Sequence, residues 1–267
     1  MIKFEDFTIR SQEGKKQKIK ILYQDEFIFA IDKPAGLRVL PDRWISTLPN
    51  LLQLLKLHNT ANESEKDKKI FVVHRIDADT SGLVLFARTP EAHRCLSMAF
   101  EKGEIKKTYL AIIIGRPEIT HGKIDLPIAA ARNNRMKVDP QGKKSITIFN
   151  VREKFGRYSL LEVSPLTART HQIRIHLQAS GFPLAVDPLY TDIKKIHISD
   201  LKQGIHSQND WESALISRLT LHAWRLRFQH PVTQENMEII AEPPKDFKAI
   251  LKALRKWDKY SDQSDFR

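Results

Sequence analysis

Residues 74–88, HRIDADTSGLVLFAR, set acidic, basic and hydroxyl side chains directly between two apolar runs. Packing alone does not call for charge at such a junction. Asp77 follows His74 and Arg75 in a short turn that leads through Thr80, Ser81 and Gly82 into an apolar strand, so its carboxylate can project from a strand edge into a cleft. Thr80 and Ser81 suit a turn backbone, and Gly82 permits unusual φ or close approach. An aspartate at a turn can equally do no more than cap it. A second cluster, LTARTHQIRIHL at 166–177, crowds Arg169, His171, Arg174 and His176 into one strand-to-helix passage. Arginines there suit phosphate, being planar, permanently charged and bidentate, although Arg174 taken alone also reads as part of a solvated helix face. His171 and His176 lack i, i+4 spacing and a nearby Cys or Glu, so no metal site is expected.

The elements that must position these groups follow from periodicity. Alternation and β-branched content mark strands over 21–31, 71–73, 83–87, 109–115, 145–151, 158–163 and 221–229. Helical patterns cover 48–58, 91–102 after the Thr89-Pro90 start signal, 170–180 before Gly181, and 245–259. No repeat appears, and strands do not alternate with long helices, so the expected class is α+β: a mixed, mainly antiparallel central sheet with flanking helices and loops. The expected organisation is a basic N-terminal arm over 1–20 (its 11–20 stretch a mobile arm or edge segment), one catalytic domain over 21–247, and a basic C-terminal helix and tail over 248–267. Polar surface insertions are expected at 59–69 and 191–213.

The chain has 267 residues, 41% hydrophobic, with a formal net charge of +12. A sizeable core is within reach, and the positive field favours polyanionic partners: RNA, DNA or an anionic membrane face. No stretch approaches the roughly 20 apolar residues of a spanning helix, and Glu5 and Asp6 interrupt any secretory signal at the start, so a cytoplasmic protein is expected. The single cysteine, Cys95, excludes an intramolecular disulfide and a Cys-rich metal site. Tyr109, at the head of its strand, either joins the core or, in an RNA cleft, stacks on a base. The segment RNNRMK, 132–137, is a basic loop between strands, available for phosphate or merely solvated.

Five segments, 21–36 (ILYQDEFIFAIDKPAG), 74–88, 107–115 (KTYLAIIIG), 166–190 (LTARTHQIRIHLQASGFPLAVDPLY) and 221–231 (LHAWRLRFQHP), resemble, in order, the motifs of the RluA family of RNA pseudouridine synthases. They span nearly the whole chain, and HRID with TSG together with RTHQIRIH is a specific combination. The resemblance implies the pseudouridine synthase catalytic fold with a central RNA-binding cleft, and an isomerase that converts uridine to its C5-linked form without a cofactor. It further implies that Asp77 is the required aspartate, that Tyr109 stacks on the uracil, and that Arg169 pairs with the aspartate near the target phosphate. Arg75 matches an arginine that enters the RNA helix when the target base leaves. Further RNA contacts are expected from His74, Arg174, Arg38, Arg43, Arg132, Arg135, Lys137 and the lysines of the closing segment. Ala168 and Val186 stand where the family usually has glycine. Large-subunit (23S) ribosomal RNA is the first expected substrate and transfer RNA the second; a monomer with no obligate protein partner is expected. Two rivals stand beside this reading: a non-catalytic RNA-binding or ribosome-assembly protein, and a glycosidic hydrolase, which would call for a carboxylate pair.

Overall fold

The computed structural model describes residues 4–10, 14, 16–41, 48–60, 69–133, 135–202 and 213–259. In chain order the elements are β1 (Phe7–Arg10), β2 (Lys16–Gln24), β3 (Ile28–Lys33), α1 (Leu51–Thr60), β4 (Phe71–Val72), β5 (Ser81–Ala87), α2 (Pro90–Lys102), β6 (Lys106–Ile114), β7 (His121–Asp125), β8 (Ile128–Ala130), β9 (Met136–Val138), β10 (Ile146–Lys154), β11 (Tyr158–Pro165), α3 (Gln172–Ala179), β12 (Leu221–Gln229), β13 (Asn236–Ile240) and α4 (Lys245–Trp257). The chain divides into two compact units: Met1–Thr108 with His222–Glu242, and Tyr109–Leu221 with Pro243–Arg267. Both mix helices with mainly antiparallel sheet, which is the expected class.

The first unit is ordered β1-β2-β3-β5-β12, with β13 on β12 and β4 on β5. β5 and β12 run parallel; the other named pairs of this unit are antiparallel. Every residue of β5, SGLVLFA, is buried, as a continuous apolar run in a central strand requires. The reading of 21–31 as one strand is corrected to a hairpin. Asp25 Oδ1 accepts hydrogen bonds from the Phe27 and Ile28 amides at 2.7 and 2.8 Å and closes the turn between β2 and β3. β2 itself begins at Lys16, inside the polar stretch. α2 begins as its sequence signals: Thr89 Oγ1 accepts from Ala92 N, Pro90 is its first residue, and Gly103 closes it at φ 74°. Its Ala92 and Leu96 pack with Ile28, Leu83, Leu85, Leu226 and Phe228 in this unit's core. α1 starts three residues later than the apolar pattern suggests, because Asn50 caps it, accepting from Gln53 N at 3.1 Å.

The second unit orders β6-β11-β10-β7, all antiparallel, beside the small hairpin β8–β9. Its core joins Ala111, Ile113, Phe149, Leu161 and Val163 to Ile173 and Leu177 of α3 and to Leu184, Leu219 and Leu221. Val186, where the family usually has glycine, is fully buried, its N–H donating to Thr220 Oγ1 at 3.2 Å. Ala168 is absent from the residues with positive φ, so the alanine there costs no strain. Among the described residues no helix is long and apolar enough to cross a membrane.

Candidate active site

In the first unit Asp77 sits half-buried in the loop that enters β5. The loop is pinned from behind by Lys33, whose side chain has no exposed surface. Its ammonium donates to the carbonyls of Pro34, Leu37 and Ala78 at 2.9, 2.7 and 2.8 Å, using three donors on three carbonyls. The Gly36 amide donates to the same Ala78 carbonyl at 2.9 Å, and the Thr80 amide to the Asp77 carbonyl at 3.2 Å. These bonds bring the 33–38 segment, with the exposed side chain of Arg38, beside the Asp77 loop. Downstream, Gly82 has φ 110°, and a Cβ there would lie 2.2 Å from the Ala223 carbonyl oxygen, so no larger residue fits. Ser81 Oγ lies 2.9 Å from His222 Nδ1, while His222 Nε2 lies 2.8 Å from the Ala241 carbonyl. Because a carbonyl only accepts, His222 Nε2 carries a proton and donates to Ala241, while Nδ1 faces the Ser81 hydroxyl.

His74, expected as an RNA contact, is engaged inward. Its Nε2 accepts from the Leu85 amide at 2.9 Å, and its ring stacks on Phe100 at 4.5 Å. Burial, reinforced by the charge of Lys107, holds its pKa down at about 3, so the imidazole is neutral and props the loop. Arg75 beside it is exposed. Arg43 lies outside the described residues.

In the second unit Tyr109 is half-buried within β6, opposite Val163 of β11 and packed against the core. Arg169 is exposed in the loop between β11 and α3, its Nε reaching the Lys144 carbonyl at 3.3 Å. Gln172 organises that loop: its Oε1 accepts from Thr167 Oγ1 and Arg169 N at 2.7 and 3.1 Å, while its Nε2 donates to Ile146 O and Thr147 Oγ1. The following residue pair departs from expectation. Arg174 is 3% exposed and bidentate on Asp187, at 2.8 and 2.5 Å, with its guanidinium 4.9 Å over the Tyr190 ring. It is therefore committed to the interior and corrected from phosphate ligand to strut of the 187–191 turn.

Arg132, Arg135 and Lys137 are exposed on the β8–β9 hairpin, and Lys137 pairs with Asp139 at 2.7 Å. Arg132 and Arg135 line a cleft of 660 Å³ with Gln178, Leu189, Tyr190 and Lys194. Tyr190 fastens the hairpin, its hydroxyl 2.9 Å from Met136 N and 2.7 Å from His171 Nδ1. The sequence reading missed Lys33, Gln172, Asp187 and Tyr190. Lys33 carried a signal, a lysine that follows Asp32 at the end of the apolar run IFAI; the others act through partners many residues away.

Residues 28–179 match the sequence profile of the RNA pseudouridylate synthase family. A ribosomal large subunit pseudouridine synthase D from Nitrosomonas europaea is 36% identical over 253 residues, covering 92% of this chain and 68% of that relative. A ribosomal large subunit pseudouridine synthase C from Buchnera aphidicola is 32% identical over 269 residues, covering 95% and 79%. Among solved structures, human RNA pseudouridylate synthase domain containing 4 has the same fold, with TM-score 0.68 at 22% identity, covering 88% of this chain and 92% of that one. The fold and the sequence together define an RNA-modifying isomerase. The chain belongs to the RNA pseudouridylate synthase family, and its activity is the conversion of uridine to pseudouridine in RNA.

Proposed function

We propose that the protein modifies large-subunit ribosomal RNA, as a cytoplasmic monomer, with Asp77 as the catalytic carboxylate. The observation that carries the assignment is the construction of the Asp77 loop: a buried ammonium, a glycine with no room for a Cβ and a neutral imidazole all hold a half-buried acidic residue in place. The substrate reading is supported by the relatives, which are named for the large ribosomal subunit. Transfer RNA is the second choice.

In the reaction the N1–C1′ bond breaks, the uracil turns, and a C5–C1′ bond forms. The C5 proton leaves and N1 regains one, so the composition is unchanged and no redox partner is called for. The target uridine first leaves its stack, at a cost of a few kcal/mol that an exposed arginine such as Arg75 helps to offset. Asp77 acts as a carboxylate, either attacking the nucleoside or withdrawing a sugar proton to give a glycal. Tyr109 holds the uracil ring and stands near C5 when its proton departs. Arg169 supplies fixed positive charge.

The test is pseudouridine mapping, by carbodiimide modification and primer extension, on ribosomal and transfer RNA from cells whose only copy carries Asp77→Asn. Loss of one or a few ribosomal sites is expected. Unchanged ribosomal sites with lost transfer RNA sites would transfer the substrate assignment, and full modification would overturn the role of Asp77.

A further inference from the structure

The β1–β2 hairpin sets like charges face to face. Its antiparallel register puts Arg10 opposite Lys16 and Thr8 opposite Lys18, all four exposed on one face, while Ile9, Gln17 and Ile19 turn to the other. Two acids serve the neighbouring cations. Asp6 pairs with Lys18 at 2.9 Å and accepts from Ile21 N at 2.9 Å, and Asp32 stands opposite Lys20. Arg10 and Lys16 are left without a partner among the described residues. Two cations directly across a strand pair oppose the pairing, and an anion seated between them turns that repulsion into attraction.

The place of this pair in the first unit points to its partner. Lys20 stands opposite Asp32, so Lys16 is level with Gly36, and Gln17 Nε2 donates to the Ala35 carbonyl at 3.1 Å. Gly36 N donates in turn to the Ala78 carbonyl, one residue from Asp77. β2 and β1 are two and three strands from β5, which at about 4.8 Å per strand puts Lys16 and Arg10 about 10 and 14 Å to the side of the Asp77 loop. A cavity of 250 Å³ lined by Arg10, Gln17, Gly36 and Leu37 leaves open space between the hairpin and the segment beside that loop. A guanidinium and an ammonium that share one exposed face suit a phosphate, the first by its fork and the second as a point charge. We propose that the end of the β1–β2 hairpin is an RNA-docking site, in which Arg10 and Lys16 hold one phosphate of the substrate strand a few nucleotides from the target uridine. This rests on Asp77 as the catalytic carboxylate and adds a grip on the strand to one side of it.

The probes are transcripts of large-subunit ribosomal RNA and of transfer RNA carrying tritium at uridine C5, and the one that the wild-type protein modifies is used throughout. Filter binding across a potassium chloride series gives Kd, and tritium release gives KM and kcat. The double variant Arg10→Gln, Lys16→Gln is expected to raise Kd and KM about ten-fold while kcat changes less than about two-fold. Its slope of log K against log salt is expected to be shallower by about 0.7, the value of one phosphate on a single strand. Lys16→Arg preserves the charge and is expected to bind as the wild type does. Arg94→Gln removes an exposed cation from α2, near the end of β5 remote from Asp77, and is expected to leave Kd within about two-fold. Because the double variant relieves a like-charge pair, the urea midpoint of the free protein is expected to stay level or rise. An unchanged Kd and slope in the double variant overturns the site, as does a loss no greater than that of Arg94→Gln. A lowered urea midpoint assigns the loss to the fold and overturns it too. Asp77→Asn tests the other reading separately, because it is expected to lose tritium release while keeping wild-type Kd and slope.

Discussion

Lys33 and His74 support the same loop by opposite electrostatic means. The lysine keeps its three donors on carbonyls in a place without exposed surface, where breaking any of these bonds leaves a buried group unsatisfied. The histidine serves by staying neutral, because protonated Nε2 could not accept from Leu85 N. Its pKa falls from 6.5 to about 3 on folding, so below pH 6.5 the unfolded chain takes a proton that the folded chain refuses. Stability is therefore full above pH 6.5 and declines as pH falls toward 3. Urea unfolding of His74→Gln, which keeps an acceptor and cannot titrate, is expected to lower the pH slope between 6.5 and 4 by about one proton. His176, also held down by burial and engaged with Thr147 and Leu126, leaves a residual slope in the variant. At this scale the motifs single out Asp77, Tyr109 and Arg169 by type and order as the residues proposed for the chemistry. They misplaced Arg174, because the acid that neutralises it, Asp187, follows the helix and a turn, and no periodicity links the two.

Elements with strong local signals matched their sequence patterns closely, and those defined by tertiary pairing did not. β12 has the bounds read from its alternation, and α2 begins at its Thr-Pro signal. β7, β8, β9 and β13 escaped notice because each is three to five residues long and half-exposed, so alternation has no room to emerge. The β8–β9 hairpin depends instead on distant groups, chiefly the Tyr190 hydroxyl at Met136 N and His171. Tyr190→Phe removes that hydroxyl while preserving the ring beneath Arg174. A stability loss of about 1 kcal/mol is expected, with faster amide hydrogen exchange at Met136 than in the other strands of its unit. Equal exchange in variant and wild type would mean that the β8–β9 pairing alone holds the hairpin.

Across the whole molecule, a net charge of +12 accompanies two compact units with separate cores, so positive field is available without any single element being built for it alone. Composition made an anionic partner legible from the start; the separation of α4 into a packed side and a cationic side emerges only from the fold. The interior position of Lys33 sets it apart in this lysine-rich chain. Amine-reactive acetylating reagents reach ammonium groups that water reaches, so brief labelling of the native protein is expected to modify Lys248, Lys252 and Lys256 and to spare Lys33. Mass spectrometry at rising urea concentration would then read label at Lys33 as a clock for opening of the Asp77 loop, reporting local release of Asp77 from a residue that has no exposed surface in the folded protein.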